Sequence, residues 1–165
     1  MQADRDAASP PAYSELRQQL TALFAAERSA LANAANMAAL LFWGLPDLNW
    51  AGFYFLRQDE LVLGPFQGKV ACVRIALGKG VCGAAALRRQ TLVVPDVHEF
   101  PGHIACDTAS QSEIVVPLIQ GDRLWGVLDL DSPKRSRFDA ADAAGLEGCA
   151  DEFLRASDLA EFFGK

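Results

Sequence analysis

At Asn49 the hydrophobic period of the chain changes from that of a helix to that of a strand, and this change restricts the fold class more than any other feature. Before it, Leu16, Leu20, Leu23 and Phe24 recur near the helical period, with Ser14 placed as an N-cap. A second helix is predicted from Ser29, with Leu31, Met37, Leu40 and Leu41 on its apolar side and a stop at Gly44 and Pro46. After Asn49, Trp50 to Leu56 is aromatic-rich and strand-like, Arg57 to Glu60 is a polar turn, and Leu61 to Phe66 returns as its partner.

The remaining pattern is a short strand from Ala71 to Ile75, a brief helix from Cys82 to Arg89, and a buried strand from Thr91 to Val94. A long connection from Pro95 to Gln111 carries both histidines, and connections of that length are more often functional than not. Two strands, Ser112 to Gln120 and Leu124 to Leu130, meet at a Gly121-Asp122 turn, and Phe138 to Phe163 closes the chain as one helix. This order predicts an α+β domain, with a mostly antiparallel central sheet of about six strands and the N- and C-terminal helices packed on one face.

A chain of 165 residues with 51% hydrophobic and 22% charged residues can bury a core without covalent staples. We expect a flexible arm over residues 1–12 and a single domain over 13–165. The first residues lack the apolar stretch of a signal peptide, and the longest apolar run, Met37 to Trp43, is far shorter than the ~20 residues that span a bilayer. A net charge of −6 with scattered basic residues argues against nucleic acid and anionic membrane as partners. A cytoplasmic protein with a small ligand or a protein partner is the expectation.

Gly78-Lys79-Gly80-Val81-Cys82-Gly83 matches the dinucleotide fingerprint G-x-G-x-x-G. A hairpin precedes it rather than a βαβ unit, and too little chain follows for a doubly wound sheet. These glycines are read instead as a tight turn and a close backbone approach to a ligand.

Cys72, Cys82 and Cys106 lie in the most loop-like part of the chain, at intervals unlike those of a zinc knuckle. Redox chemistry fits them: a thiolate attacks an oxidised substrate, a second thiol closes a disulfide, and an external dithiol resets the pair. The alternative is that these three and Cys149 are small buried hydrophobes. A zinc site from Cys72, Cys82, His98, His103 and Cys106 has only the His103–Cys106 pair close in sequence, so no metal is expected, and no cofactor. His98 and His103 are read as loop-organising hydrogen bonders. Acyl transfer by a Cys–His pair leaves two cysteines without a role.

The run Asn49 to Tyr54, the stretches Leu63 to Lys69 and Ala71 to Ile75, and the turn Gly78 to Gly83 closely resemble the free methionine-(R)-sulfoxide reductases. So do Asp96-Val97-His98, Gly102 to Asp107, Ser112 to Leu118 and Gly126 to Ser132. The resemblance implies a GAF-type domain, whose ligand pocket lies between the sheet and the long loops. It also implies reduction of the R-epimer of free methionine sulfoxide, with electrons from thioredoxin. On that resemblance Cys106 is the nucleophile, Cys72 the resolving thiol, and Cys82 an auxiliary or alternative resolver; whether the protein is a monomer or a homodimer stays open. Cys149 is read as structural.

Sulfoxide sulfur becomes electrophilic only when its oxygen is protonated or strongly hydrogen-bonded, so a thiolate and an acid must converge on one S–O group. Glu113 can supply that acid, and burial beside other carboxylates should raise its pKa. Asp129 and Asp131 share strand parity and so a face, where they need a cation; the α-ammonium of a free amino acid fits. Trp50 and Tyr54 can wall off the S-methyl group, and Gln67 can add a hydrogen bond. Read singly, Trp50 and Tyr54 are also ordinary sheet core, and Asp131 an ordinary strand-ending turn. Helix-terminus physics alone nominates Cys82 as the nucleophile, since that setting lowers a thiol pKa. A disulfide between Cys72 and Cys106 requires their Cα atoms within ~7 Å, and the loop from Pro95 to Gln111 is then expected to act as a lid.

Overall fold

Local hydrogen bonding sets where the helices begin. In the computed structural model, which describes residues 13–104 and 106–163, α1 spans Tyr13–Phe24 and α2 spans Ala30–Gly44. Ser29 caps α2, its hydroxyl accepting the Ala32 N–H at 3.3 Å. The C-terminal helix α4, Ala140–Ala156, opens on a capping box. Asp142 N–H donates to Asp139 at 2.9 Å and Asp139 N–H donates to Asp142 at 3.0 Å. Each such cap contributes about 1 kcal/mol. The same Asp142 carboxylate accepts from the Tyr13 hydroxyl at 2.6 Å and from Arg137 at 3.1 Å, which fastens α1 to the start of α4.

Between these helices the strands are β1 (Trp50–Arg57), β2 (Glu60–Gly68), β3 (Arg74–Ala76), β4 (Leu92–Val94), β5 (Ser112–Gln120) and β6 (Arg123–Ser132). Among the described residues they form one six-stranded sheet, ordered β3-β2-β1-β6-β5-β4, and every pairing is antiparallel. The hairpins β1–β2 and β5–β6 flank the central β1–β6 pairing. Strand alternation divides the apolar residues between two faces. Phe53, Phe55, Ile114, Val116, Leu128 and Leu130 pack against the buried sides of α1, α2 and α4 through Leu16, Leu20, Met37, Leu41, Leu146 and Phe153. Removing one such ring, as in Phe53→Ala, should cost about 3–5 kcal/mol. The other face holds Trp50, Tyr54, Val115 and Val127, covered by α3 (Gly80–Arg88) and by the loops before β3 and β5. Terminal helices on one face and the remaining coverage on the other meet the α+β expectation.

Several local expectations change. Ser14 lies inside α1 rather than capping it, because the helix already includes Tyr13. Leu23 and Leu31 are 45% and 46% exposed, since Leu20 with Phe24, and Ala34 with Met37, occupy the inward stripes instead. Residues 71–73 form a loop and β3 begins at Arg74, although the Leu63 N–H still bonds the Val73 carbonyl at 2.9 Å. β4 is a half-buried edge strand rather than a buried one. The final helix breaks at Ser157, and α5 covers Leu159–Phe163. There the chain turns extended to pair with the start of α2: Asp158 N–H bonds the Arg28 carbonyl at 2.7 Å, and Asn33 donates to the Ser157 hydroxyl at 3.0 Å. The expected arm lies outside the described residues. No described helix is long and apolar enough to cross a membrane.

Candidate active site

The face of the sheet away from α1, α2 and α4 carries the polar residues. Glu113 on β5 is directly opposed to Asp131 on β6, and Val115 to Asp129. On the other side of β6, Asp129 is opposed to Gly52 and Asp131 to Trp50. Directly opposed residues share a face, so one surface presents Trp50, Tyr54, Glu113, Asp129 and Asp131. Above them lies a cavity of about 560 Å³, mouth included, whose walls also include Ile75, Lys79, Cys82, His103, Cys106, Asp107 and Ser110.

One wall is aromatic. Trp50 stacks on Tyr54 with ring centres 5.9 Å apart and on Phe66 at 5.2 Å, and its indole N–H donates to the Lys69 carbonyl at 3.1 Å. Gly52 makes this stack possible, because a Cβ there would collide with Phe66 and the Trp50 ring. The Tyr54 hydroxyl donates to the Cys72 carbonyl at 2.8 Å, so the wall also holds the loop that precedes β3.

Cys72 and Cys106 are joined in a disulfide whose Cα atoms are 5.7 Å apart. Cys106 is exposed and lines the cavity, and Cys72 is half-buried. The long loop is tied to the sheet at both ends. Val97 N–H bonds the Gln111 carbonyl at 2.9 Å and Gln111 N–H bonds the Ser132 carbonyl at 2.7 Å. Asp96 accepts from the His98 N–H at 3.0 Å. Beside Cys106, the Asn49 amide donates to Asp107 at 3.2 Å and to Ser110 at 3.0 Å, while Asn49 N–H bonds the Asp131 carbonyl at 3.0 Å. Asn49 thus couples the sheet strand bearing Asp131 to the segment bearing Cys106.

The floor resists ionisation. Burial pushes the Glu113 carboxyl well above its usual range, and the neighbouring Asp129 and Asp131 charges push it further. Asp129 is raised by burial to about 6, held down from higher by hydrogen bonds with Glu113 and Cys82. Asp131 is raised by burial first, then by Asp129 and Asp107. One Asp129 oxygen is buried without a hydrogen-bond partner. In this arrangement Glu113 holds a proton beside a carboxylate that lacks a full set of partners, which readies the floor for a cation and an acid-dependent step. Burial also lowers the pKa of His103, with the neighbouring His98 adding to the effect.

Of the residues singled out from sequence, Trp50, Tyr54, Cys82, Cys106, Glu113, Asp129 and Asp131 line the cavity, and Cys72 is bonded to one of them. Gln67 does not join them. It is opposed to Ala51, whose side chain lies in the helix-side core, so it faces away from the cavity. Helix-terminus physics also misplaces Cys82. The thiol is 4% exposed, and burial raises its pKa well above normal, with Asp129, Glu113 and Asp131 adding to the effect. The glycine turn is a turn, with Gly78 at φ 82° and Gly80 at φ 60°. The close approach at Gly83 is to the Ala76 carbonyl of β3, while Gly80 lines the cavity. Cys149 is fully buried against the helix-side core, where burial raises its thiol to about 11.

The five-residue zinc set is not assembled, because Cys72 and Cys106 are bonded to each other. Cys82, Glu113 and Asp129 do bring one donor atom each within 4.8 Å of one another. Sequence reasoning gave no site role to Asn49, Lys79, Asp107 or Ser110. Their placement depends on loops closing over the sheet, and only the adjacency of Asp107 to Cys106 was a signal.

Residues 11–156 match the GAF domain family. The chain is 51% identical over 154 residues to the free methionine-R-sulfoxide reductase of Escherichia coli (strain K12), covering 92% of this chain and 93% of that protein. Among solved structures, fRMsr of Staphylococcus aureus in complex with substrate is 48% identical with a TM-score of 0.86, covering 92% of this chain and 99% of that one. The free methionine-R-sulfoxide reductase of Neisseria meningitidis in complex with its substrate is 44% identical with a TM-score of 0.86, covering 94% and 95%.

Proposed function

The chain belongs to the GAF-domain family of free methionine-(R)-sulfoxide reductases, and from that membership we propose that it reduces free methionine (R)-sulfoxide to methionine. The observation that carries the reading is the Cys72–Cys106 disulfide at the mouth of a cavity floored by Glu113, Asp129 and Asp131. In the reduced protein both sulfurs are thiols. The Cys106 thiolate attacks the sulfoxide sulfur while the Glu113 carboxyl donates its proton to the sulfoxide oxygen. The S–O bond breaks, the oxygen passes to Cys106 as a sulfenic acid, and methionine leaves with its sulfur reduced by two electrons. Cys72 then attacks the Cys106 sulfur, water leaves, and the disulfide closes. An external dithiol, thioredoxin in this proposal, returns two electrons and two protons to the pair in a reducing compartment such as the cytoplasm.

Recognition follows from the same floor. Asp129 and Asp131 accept the α-ammonium, which removes the cost of burying two carboxylates side by side and discriminates against peptide-bound residues. The Trp50 and Tyr54 rings face the S-methyl group. Lys79, exposed at the cavity rim, is placed to meet the α-carboxylate. The test is an assay coupling thioredoxin, thioredoxin reductase and NADPH, run with each epimer of free methionine sulfoxide. NADPH consumption with the R-epimer alone is expected, and its absence with both epimers would remove the enzyme reading.

A further inference from the structure

We infer that Cys82 acts in this site as a positioning residue, its buried thiol donating a hydrogen bond that aims and tempers the Glu113 acid, rather than as a resolving thiol. The inference rests on the reductase reading above and assigns the third cysteine a part in the same reaction.

The Cys82 Sγ lies 3.8 Å from Glu113 Oε1, within hydrogen-bond range for sulfur. It sits on the first turn of α3, which Gly80 and the Gly78 turn bring down onto β5 and β6. Cys82, Glu113 and Asp129 converge within 4.8 Å, and each is at most 6% exposed. A resolving thiol must reach a sulfenic acid on Cys106 as a thiolate. Cys82 instead faces three carboxyl groups, and burial together with those acids holds its proton in place. Cys72 already forms the bond that a resolver forms.

A thiol proton has one use in this position. Glu113 must give up its proton as the sulfoxide oxygen takes it, which leaves a carboxylate in a buried site. The S–H group, aimed at Oε1, stabilises that developing charge. Glu113 is faced by Cys82 from α3, Asp129 and Asp131 from β6, and Tyr54 from β1, with His103 and Lys79 on the cavity wall. Burial and the two acids of the sheet, Asp129 and Asp131, oppose its ionisation. The Cys82 contact favours it.

Cys82→Ala and Cys82→Ser, made in the full chain and pre-reduced, separate this role from the alternatives. Methionine release in a single turnover, as a function of pH, is measured with the parent as control. The Ala variant is expected to lose about tenfold to a hundredfold in the single-turnover rate with little change in substrate affinity. Its alkaline limb should move to higher pH, because losing the donor makes Glu113 harder to ionise. Ser keeps a donor and should recover most of the rate and the parent's limb. Looser packing that admits water would move the limb to lower pH, and that result overturns the inference. So does unchanged methionine release with loss only of thioredoxin recycling, the signature of a resolver. If the Ala variant fails to fold, the carboxyl stretch of Glu113 in the Ser variant, read by infrared difference titration against the parent, decides. A titration midpoint within about 0.5 unit of the parent supports the hydrogen-bond role, and a fall of about a unit or more contradicts it. A parent that reduces neither epimer would count against the reductase reading, whereas an active parent with an unaffected Ala variant counts against this role alone.

Discussion

Glu113 and Asp131 stand directly opposite each other in the β5–β6 ladder, two acids on one buried face of adjacent strands. Like charges in that relation destabilise a sheet. The site tolerates them because Glu113 keeps its proton and because the cavity above them is open to a cationic ligand.

Asp129→Asn should stabilise the ligand-free protein near neutrality. Burial raises the Asp129 carboxyl from its ordinary 3.8 to about 6, so the folded state is favoured most while this group is protonated. That contribution is complete below 3.8 and is lost as the pH rises through about 6. The amide removes the loss, and denaturant melts at pH 7.5 should show a gain of about 1–3 kcal/mol that vanishes at pH 4. The same variant should bind substrate at least tenfold more weakly, as a charge-assisted contact to the ammonium becomes neutral. N-acetylmethionine sulfoxide, which lacks the cation, should be a poor substrate for the parent.

Glu113→Gln should slow methionine release by about a hundredfold or more with a small change in KM, since the amide can hydrogen-bond but cannot deliver a proton. Stopped-flow single turnovers with the pre-reduced protein check this directly. An equal loss in kcat and in affinity would assign Glu113 to binding.

Tyr54→Phe should act on the disulfide step. The hydroxyl that bonds the Cys72 carbonyl is lost, at a cost of about 0.5–1.5 kcal/mol, and the loop carrying Cys72 is released. Methionine release in the first turnover should stay within a few-fold of the parent, while closure of the disulfide slows. Quenched-flow trapping of the sulfenic acid with a dimedone reagent would show it accumulating.

Gln67→Ala should leave KM and kcat within about twofold of the parent, because the side chain faces the helix side of the sheet. The sequence misleads here for an identifiable reason. Pairing shifts between Gly52 and Tyr54, so β2 carries one extra residue, and Leu63 and Phe66 both pack on the cavity side of the sheet although an odd number of positions separates them. Counting by twos from Leu63 puts Gln67 on the wrong side. The regular strands gave no such trouble, and the parity of Asp129 with Asp131 and of Trp50 with Tyr54 was legible directly. The helix-terminus argument for a lowered Cys82 pKa failed because position on a helix says nothing about which groups pack over it; burial, with the acids beside it, outweighs the helix terminus. The break at Ser157 was invisible because no glycine or proline marks it, and the cause is a pairing with Ser29 from the far end of the chain.

The most direct test of the account follows the cysteines through one turnover. The pre-reduced protein is given less than one equivalent of free methionine (R)-sulfoxide without any reductant, quenched with an alkylating agent, and mapped by mass spectrometry. The account predicts one methionine released per disulfide formed, that disulfide joining Cys72 to Cys106, with Cys82 and Cys149 recovered as alkylated thiols. In Cys106→Ser no methionine should appear, and in Cys72→Ser all the supplied sulfoxide should be converted to methionine without a Cys72–Cys106 bond. Methionine formed by Cys106→Ser, or a first-turnover disulfide that contains Cys82 in the parent, would contradict it.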